Sequence, residues 1–151
     1  MKRNRRIGTS EAALTDVVRT VVRFSEVDSM QVVWHGAYVR YFEDGRESFG
    51  RRYLGLGYLD FYANGYTAPM VDMQLQYLAP LKVNDVALIE TRYIDTPAAK
   101  LCFEYVIRRE SDGCVVAKGS SIQVFIDGNG DMCLNYPPFF EQWRERWLNE
   151  K

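Results

Sequence analysis

Between Phe24 and Phe49 the chain reads FSEVDSMQVVWHGAYVRYFEDGRESF, and this stretch decides the fold. A β-like run over residues 17–25 leads into it, and its second half carries aromatic residues three and four positions apart. That spacing predicts one amphipathic helix over residues 37–54, whose apolar stripe packs on a flat partner. The stripe consists of Tyr38, Tyr41, Phe42, Gly45, Phe49 and Tyr53. Gly55-Leu56-Gly57 ends the helix.

The link between strand and helix holds an acid, Asp28, the only histidine of the chain, His35, and a tyrosine, Tyr38. The free N–H groups at a helix start can bind a developing negative charge. An acid beside such a helix start indicates chemistry on a carbonyl group. The plainer alternative is that Asp28 only caps the turn or ends the strand.

The rest of the chain is β-like until its last segment. Turn signals separate candidate strands over residues 69–78, 86–95, 100–110 and 114–126, and Asp112-Gly113 predicts a hairpin between the last two. Residues 139–149 predict a docked helix, and residues 9–15 a short helical turn. This order predicts an α+β protein in which an antiparallel β-sheet wraps around one long central helix, with a C-terminal helix. Such a small sheet leaves open edges, which dimerisation commonly covers.

Length and composition fit a single domain over residues 1–151, with residues 1–16 as an N-terminal extension. Net charge is −1, which gives no electrostatic case for nucleic acid, and no apolar run is long enough for a membrane span. The basic N-terminus lacks the apolar region of a secretory signal, so we expect a solvated tail there. Three distant cysteines and one histidine predict reduced thiols in a cytoplasmic protein, with no metal site and no cofactor.

Three stretches resemble the hotdog-fold thioesterases, and among them the 4-hydroxybenzoyl-CoA thioesterase group that includes the YbgC-type acyl-CoA thioesterases. They are RFSEVD (23–28), VVWH (32–35) and YVRYFE (38–43), supported by YLAPL (77–81), ND (84–85) and AKGS (117–120). The resemblance covers residues 20–126 and implies a hotdog fold. It also implies hydrolysis of an acyl-CoA thioester, in a homodimer or homotetramer whose site lies between two subunits.

The resemblance also implies roles for individual residues. Asp28 matches the acid that acts on the thioester carbonyl carbon, as nucleophile or as general base for water. The backbone N–H near His35 matches the group that polarises the carbonyl oxygen, and the imidazole has a possible role of its own. The substrate-binding positions that follow from the resemblance are Gln31, Val33, Trp34, Tyr38 and Lys100.

Two departures from the family pattern affect the expected substrate. Gln31 stands where 4-hydroxybenzoyl-type members carry glycine, and glutamine there is similar to thioesterases that act on acyl carrier protein. Lys100 is the only basic residue in the turn whose counterpart binds the CoA phosphates. An acyl-carrier-protein thioesterase and a non-hydrolytic acyl-binding module therefore remain alternatives. Glu43 matches the acid of another hotdog branch, although Arg46 and Glu47 lie at pairing distance on the helix and a surface ion pair is the simpler expectation.

Overall fold

The computed structural model describes residues 12–148, which form one five-stranded antiparallel sheet and three α-helices. The strand order is β1-β3-β4-β5-β2, and the helix that follows β1 lies against β1 and β3. This is the predicted α+β arrangement of a sheet around one long helix. The elements are β1 (Leu14–Val21), a 3₁₀ turn (Phe24–Glu26), α1 (Ala37–Arg52), α2 (Tyr58–Ala63), β2 (Met70–Tyr77), β3 (Val86–Ile94), β4 (Lys100–Arg109), β5 (Val115–Val124) and α3 (Pro138–Leu148).

The structure differs from the sequence prediction mainly before α1. Strand β1 begins at Leu14, inside the segment predicted as an extension, because its backbone pairs with β3 from Leu14↔Tyr93 to Val21↔Val86. The helical turn predicted over residues 9–15 is therefore wrong for residues 12–15, and residues 9–11 lie outside the described range. Phe24 and Ser25, predicted to end the first strand, belong instead to the 3₁₀ turn Phe24–Glu26. Helix α2 was not predicted, because only Phe61 of its six residues is buried and no apolar stripe exists.

Helix α1 lies unusually close to the sheet at two glycines. A Cβ on Gly45 would lie 2.4 Å from Thr91 Oγ1 and 2.9 Å from a methyl carbon of Ile89, both on β3. On β5, a Cβ on Gly119 would lie 2.3 Å from the ring of Phe42. That ring stacks on Tyr105 with centroids 4.3 Å apart, so both glycines seat the helix directly on the sheet.

Helix α3 closes the far end of the core, next to the C-terminus of α1. Phe140 and Trp143 are buried and stacked on each other, and the Trp143 indole N–H donates to the Tyr53 carbonyl at 2.9 Å. The loop that carries Asp28 lies at the opposite, N-terminal end of α1.

Candidate active site

A closed loop positions Asp28 at the end of the 3₁₀ turn. Val27 and Val33 form an antiparallel bridge, and the Asp28 N–H donates to the Val32 carbonyl at 2.9 Å. Asp28 is exposed, and its Oδ1 accepts the Met30 N–H at 2.8 Å. This is the turn contact that a loop aspartate commonly makes, so Asp28 does cap its turn, as the plainer alternative predicted. The contact engages one carboxylate oxygen, and the other has no hydrogen-bond partner within residues 12–148.

Two backbone N–H groups are available where α1 begins. The N–H groups of His35 and Gly36 donate to no backbone acceptor in the described part of the chain, whereas Trp34 and Ala37 on either side both donate. The His35 carbonyl accepts the Tyr77 hydroxyl at 2.8 Å, which fixes the orientation of the His35–Gly36 peptide. The structure thus brings free N–H donors and Asp28 onto the two sides of one loop.

Aromatic rings surround this loop. Tyr38 is buried and lies edge-on to both Tyr41 and Tyr77, with ring centroids 5.7 and 5.1 Å away. Burial, together with Tyr77, raises the pKa of Tyr38 to about 12. Trp34 is 44% exposed and edge-on to the His35 ring, and only the absence of a Cβ on Gly36 lets its ring lie there. Val33, by contrast, is buried in the hydrophobic core.

Gln31 has a left-handed backbone conformation, with φ of +65°. An L-residue pays about 1–2 kcal/mol for that conformation, which glycine adopts freely. This explains in physical terms why a glycine suits the position in the family that the sequence resembles. The Gln31 side chain is exposed beside Asp28, where it can reach a ligand.

Glu26, Tyr41 and Tyr77 hold the loop in place, and sequence reasoning had not singled them out. The buried Glu26 carboxylate accepts the Arg23 N–H at 2.8 Å and the Tyr41 hydroxyl at 3.0 Å. The sequence carries no clear signal for the burial of Glu26, because the nearby Arg23 and Ser25 are polar and exposed.

A cavity of about 900 Å³ lies apart from this loop, between α2, the C-terminal half of α1 and the starts of β2 and β4. Its walls are mostly apolar and include Phe49, Leu54, Phe61, Leu101 and Phe103. Asp28 and His35 do not line it. Lys100, the exposed first residue of β4, lies at this same end of the sheet, so one chain does not bring it together with Asp28.

The polar residues of α1 pair differently from the prediction. Glu43 lines the cavity without an ion pair among the described residues, while Arg46 donates to the Tyr105 hydroxyl at 3.4 Å and Glu47 pairs with Arg51 at 2.6 Å. The expected Glu43 ion pair on the helix surface is therefore wrong, because Arg46, its basic candidate partner, contacts the Tyr105 hydroxyl instead.

Residues 12–148 contain no cluster of three or more histidine, cysteine or acidic side chains able to hold a metal ion. In the same range no helix has the length and hydropathy needed to cross a bilayer.

An antiparallel sheet wrapped around one long helix is the hotdog arrangement that the sequence predicted. The chain belongs to the thioesterase-like superfamily, whose family model matches residues 22–144. This confirms the predicted family, the hotdog fold and the prediction of a thioester hydrolase.

Individual relatives agree with that assignment. The chain is 27% identical over 130 residues to a Bacillus subtilis protein named "Putative acyl-CoA thioesterase YneP", covering 86% of this chain and 93% of that protein. It is 24% identical to the chloroplastic acyl-acyl carrier protein thioesterase ATL3 of Arabidopsis thaliana, over 73% of this chain and 57% of that protein. Among solved structures, the hypothetical protein TT1821 from Thermus thermophilus superposes with a TM-score of 0.77 at 28% identity, covering 89% of this chain and 98% of that one.

Proposed function

We propose that this protein hydrolyses acyl-CoA thioesters, with Asp28 as the activating carboxylate and the N–H groups of His35 and Gly36 as the oxyanion-binding site. The observation that carries the proposal is the pair of unused N–H donors at the start of α1, on the same loop as a carboxylate with one free oxygen. Donors fixed in this way stabilise the charge that develops on a carbonyl oxygen under attack.

The reaction follows from that geometry. The thioester carbonyl oxygen accepts the two N–H groups, and Asp28 takes a proton from a water molecule that attacks the carbonyl carbon. The tetrahedral intermediate then expels the CoA thiolate, which is protonated, and leaves the carboxylic acid. Alternatively, Asp28 itself attacks, the thiolate leaves, and water hydrolyses the acyl-aspartyl anhydride. Both routes need the same N–H donors.

We propose that two copies of the chain complete the site. Strand β2 pairs only with β5 among the described strands, and its free edge exposes Val71 and Tyr77. Antiparallel pairing of two β2 strands places Tyr77 of one copy beside Met70 of the other. Tyr77 holds the His35 peptide of its own copy, and Met70 comes directly after residues that line the cavity. This pairing therefore brings the Asp28 loop of one copy to the cavity of the other.

This arrangement gives roles to the cavity and to Lys100. The cavity is apolar and close to the upper end of the usual size range for ligand pockets, about 300–1,000 Å³. We propose that it takes an aliphatic acyl chain. Lys100 of the copy that supplies the cavity would then lie near the Asp28 loop of the other copy, where it can meet a phosphate of CoA.

A carrier-bound acyl group is the second candidate. It is favoured by the isolation of Lys100, since a lone exposed lysine gives the CoA nucleotide little to bind. The likeness to ATL3 supports the same idea. A cytoplasmic location fits either substrate, and the lack of a disulfide among the cysteines of residues 12–148 agrees with it.

The first experiment is thiol release from short, medium, long and aromatic acyl-CoAs, comparing the wild type with Asp28→Asn. We expect the best substrate to lose about 10²–10⁴-fold in kcat in this variant. Asp127→Asn is the matched control, because Asp127 caps the turn before Met132 in the same way, accepting the Asn129 N–H at 2.9 Å. A kcat of Asp28→Asn within threefold of the wild-type value would contradict the proposed role of Asp28. Hydrolysis of acyl-acyl-carrier-protein but of no acyl-CoA would select the second candidate. Hydrolysis of neither substrate class would leave a module that only binds acyl groups.

Mixed dimers test the shared site. Asp28→Asn is mixed with Ala68→Trp, which fills the cavity mouth. If each site uses both chains, one site of every mixed dimer is intact, and about a quarter of the activity returns. No recovery after verified subunit exchange would place the whole site in one chain.

A further inference from the structure

We propose that Glu26 and Tyr41 act as positioning residues that keep Asp28 and the His35–Gly36 peptide in register with each other. This inference deepens the proposed function and rests on it. It assigns a catalytic consequence to a buried pair that contacts no substrate.

The first observation is that Glu26 joins three segments. Its carboxylate Oε1 accepts the Tyr41 hydroxyl of α1 at 3.0 Å and the Arg23 N–H before the 3₁₀ turn at 2.8 Å. Its backbone carbonyl accepts the Trp34 N–H at 3.0 Å. Asp28 is two residues after Glu26 and His35 is one residue after Trp34, so both sides of the loop meet at this glutamate.

The second observation is burial. Glu26 is 6% exposed and Tyr41 1%, so water cannot replace either partner. Burial is the main cause that raises the pKa of Tyr41, and the nearby Glu26 carboxylate adds to it. The hydroxyl therefore stays protonated and can donate. Without the Tyr41 hydroxyl this buried carboxylate would keep only the Arg23 N–H within residues 12–148, and the loop would then have to move to bring it to water.

The third observation is that one side-chain hydrogen bond joins this side of the loop to α1 among the described residues. Asp28 and Gln31 are exposed, and the loop between them is closed by its own hydrogen bonds. Backbone bonds anchor the other side, where Val33 is buried and its N–H donates to the Leu81 carbonyl at 2.8 Å. The Tyr41 hydroxyl is the side-chain hydrogen bond that ties the Glu26 side of the loop to the helix.

The test compares Tyr41→Phe with Tyr53→Phe, which removes a hydroxyl near the other end of α1 where Tyr53 donates to the Thr15 carbonyl at 2.8 Å. We expect Tyr41→Phe to lower kcat on the best thioester by about tenfold or more with KM changed less than about twofold, because small misplacement of reacting groups acts on the chemical step. Tyr53→Phe should keep the wild-type kcat even if it melts earlier.

A second pair of variants separates position from stability. Glu26→Gln keeps an acceptor oxygen for both donors and should retain kcat within about threefold, whereas Glu26→Ala should fall as far as Tyr41→Phe. This pair decides the matter if Tyr41→Phe does not fold. Equal kcat in Glu26→Gln and Glu26→Ala, or a loss confined to KM, would overturn the inference.

The two proposals fail in different ways. An active wild type with an inert Asp28→Asn and an undiminished Tyr41→Phe would overturn only the positioning role. A wild type that releases no thiol from any thioester would overturn the proposed function and the positioning role with it.

Discussion

Replacing Gly45 by alanine tests whether α1 is seated on the sheet through that glycine. The new Cβ would lie 2.4 Å from Thr91 Oγ1 and 2.9 Å from Ile89, distances at which atoms must move. Both neighbours lie on β3, in the middle of the sheet, where the backbone is held on both sides by β1 and β4. The strain therefore falls on the contact between helix and sheet.

Two opposing effects set the magnitude. Alanine in a helix interior stabilises by about 1 kcal/mol relative to glycine. Overpacking of a close-packed core costs about 1–3 kcal/mol. With two contacts under 3 Å the upper part of that range applies, so we expect a net loss of about 1–2 kcal/mol. For a chain of this size that lowers the Tm by about 2–8 °C.

Gly50→Ala is the matched control on the same helix. Its Cβ would meet nothing closer than the Leu56 carbonyl oxygen at 3.4 Å, so we expect a gain of about 0.5–1 kcal/mol. Urea unfolding followed by circular dichroism measures both variants. Adding Thr91→Ala to Gly45→Ala should recover part of the loss, since the Thr91 hydroxyl is buried without a partner. A Gly45→Ala protein at least as stable as wild type would refute the reasoning.

Three further expectations concern the loop, the C-terminal helix and alkaline pH. Gln31→Gly should be more stable than Gln31→Ala by about 1 kcal/mol in urea unfolding, because φ of +65° strains any L-residue; the opposite order would contradict the strain. Burial alone would raise the pKa of Asp95, but hydrogen bonds from Arg144 and Tyr93 outweigh it and lower that pKa. Arg144→Gln should therefore destabilise by about 1 kcal/mol at pH 7, and the gap to wild type should shrink as the pH falls below about 4; a gap equal at pH 7 and pH 3 would speak against the pairing. Because the pKa of Tyr38 is raised to about 12, its contribution to stability is complete below about pH 10 and is lost as the pH rises toward 12. Stability measured over that range should decline less steeply in Tyr38→Phe, and identical slopes would rule out this origin.

The long helix and the later strands were predictable because their signals are local. The aromatic stripe of α1 repeats at helical spacing, and four strands lie between Gly, Pro, Asn and Asp turns. Their predicted bounds therefore lie within two residues of those in the structure. The Asp112-Gly113 hairpin was predicted for the same reason, and Gly113 has the expected positive φ of 69°. Strand β1 was less predictable, because its start is set by pairing with Tyr93, which is 79 positions away from Leu14.

The candidate site likewise contains residues that a local motif predicts and contacts that no local motif predicts. Asp28, His35 and Tyr38 could be named from one contiguous motif. The bond from Tyr77 to the His35 carbonyl and the bond from Tyr41 to Glu26 join residues 42 and 15 positions apart, and no local pattern encodes them. The position of Lys100 could not be predicted from the sequence either, since it depends on the end of the sheet at which each strand begins.

Helix α2 has a kinetic consequence for anything bound behind it. Of its six residues only Phe61 is buried, and Gly55 and Gly65 on either side have φ of +117° and +81°. An element with so little buried surface opens locally at a small fraction of the free energy of global unfolding. We therefore expect amide hydrogens of residues 58–63 to exchange with solvent far faster than those of β4, and a protease to cut here first. The rate at which a long product leaves the cavity would then follow this local opening rather than the chemical step.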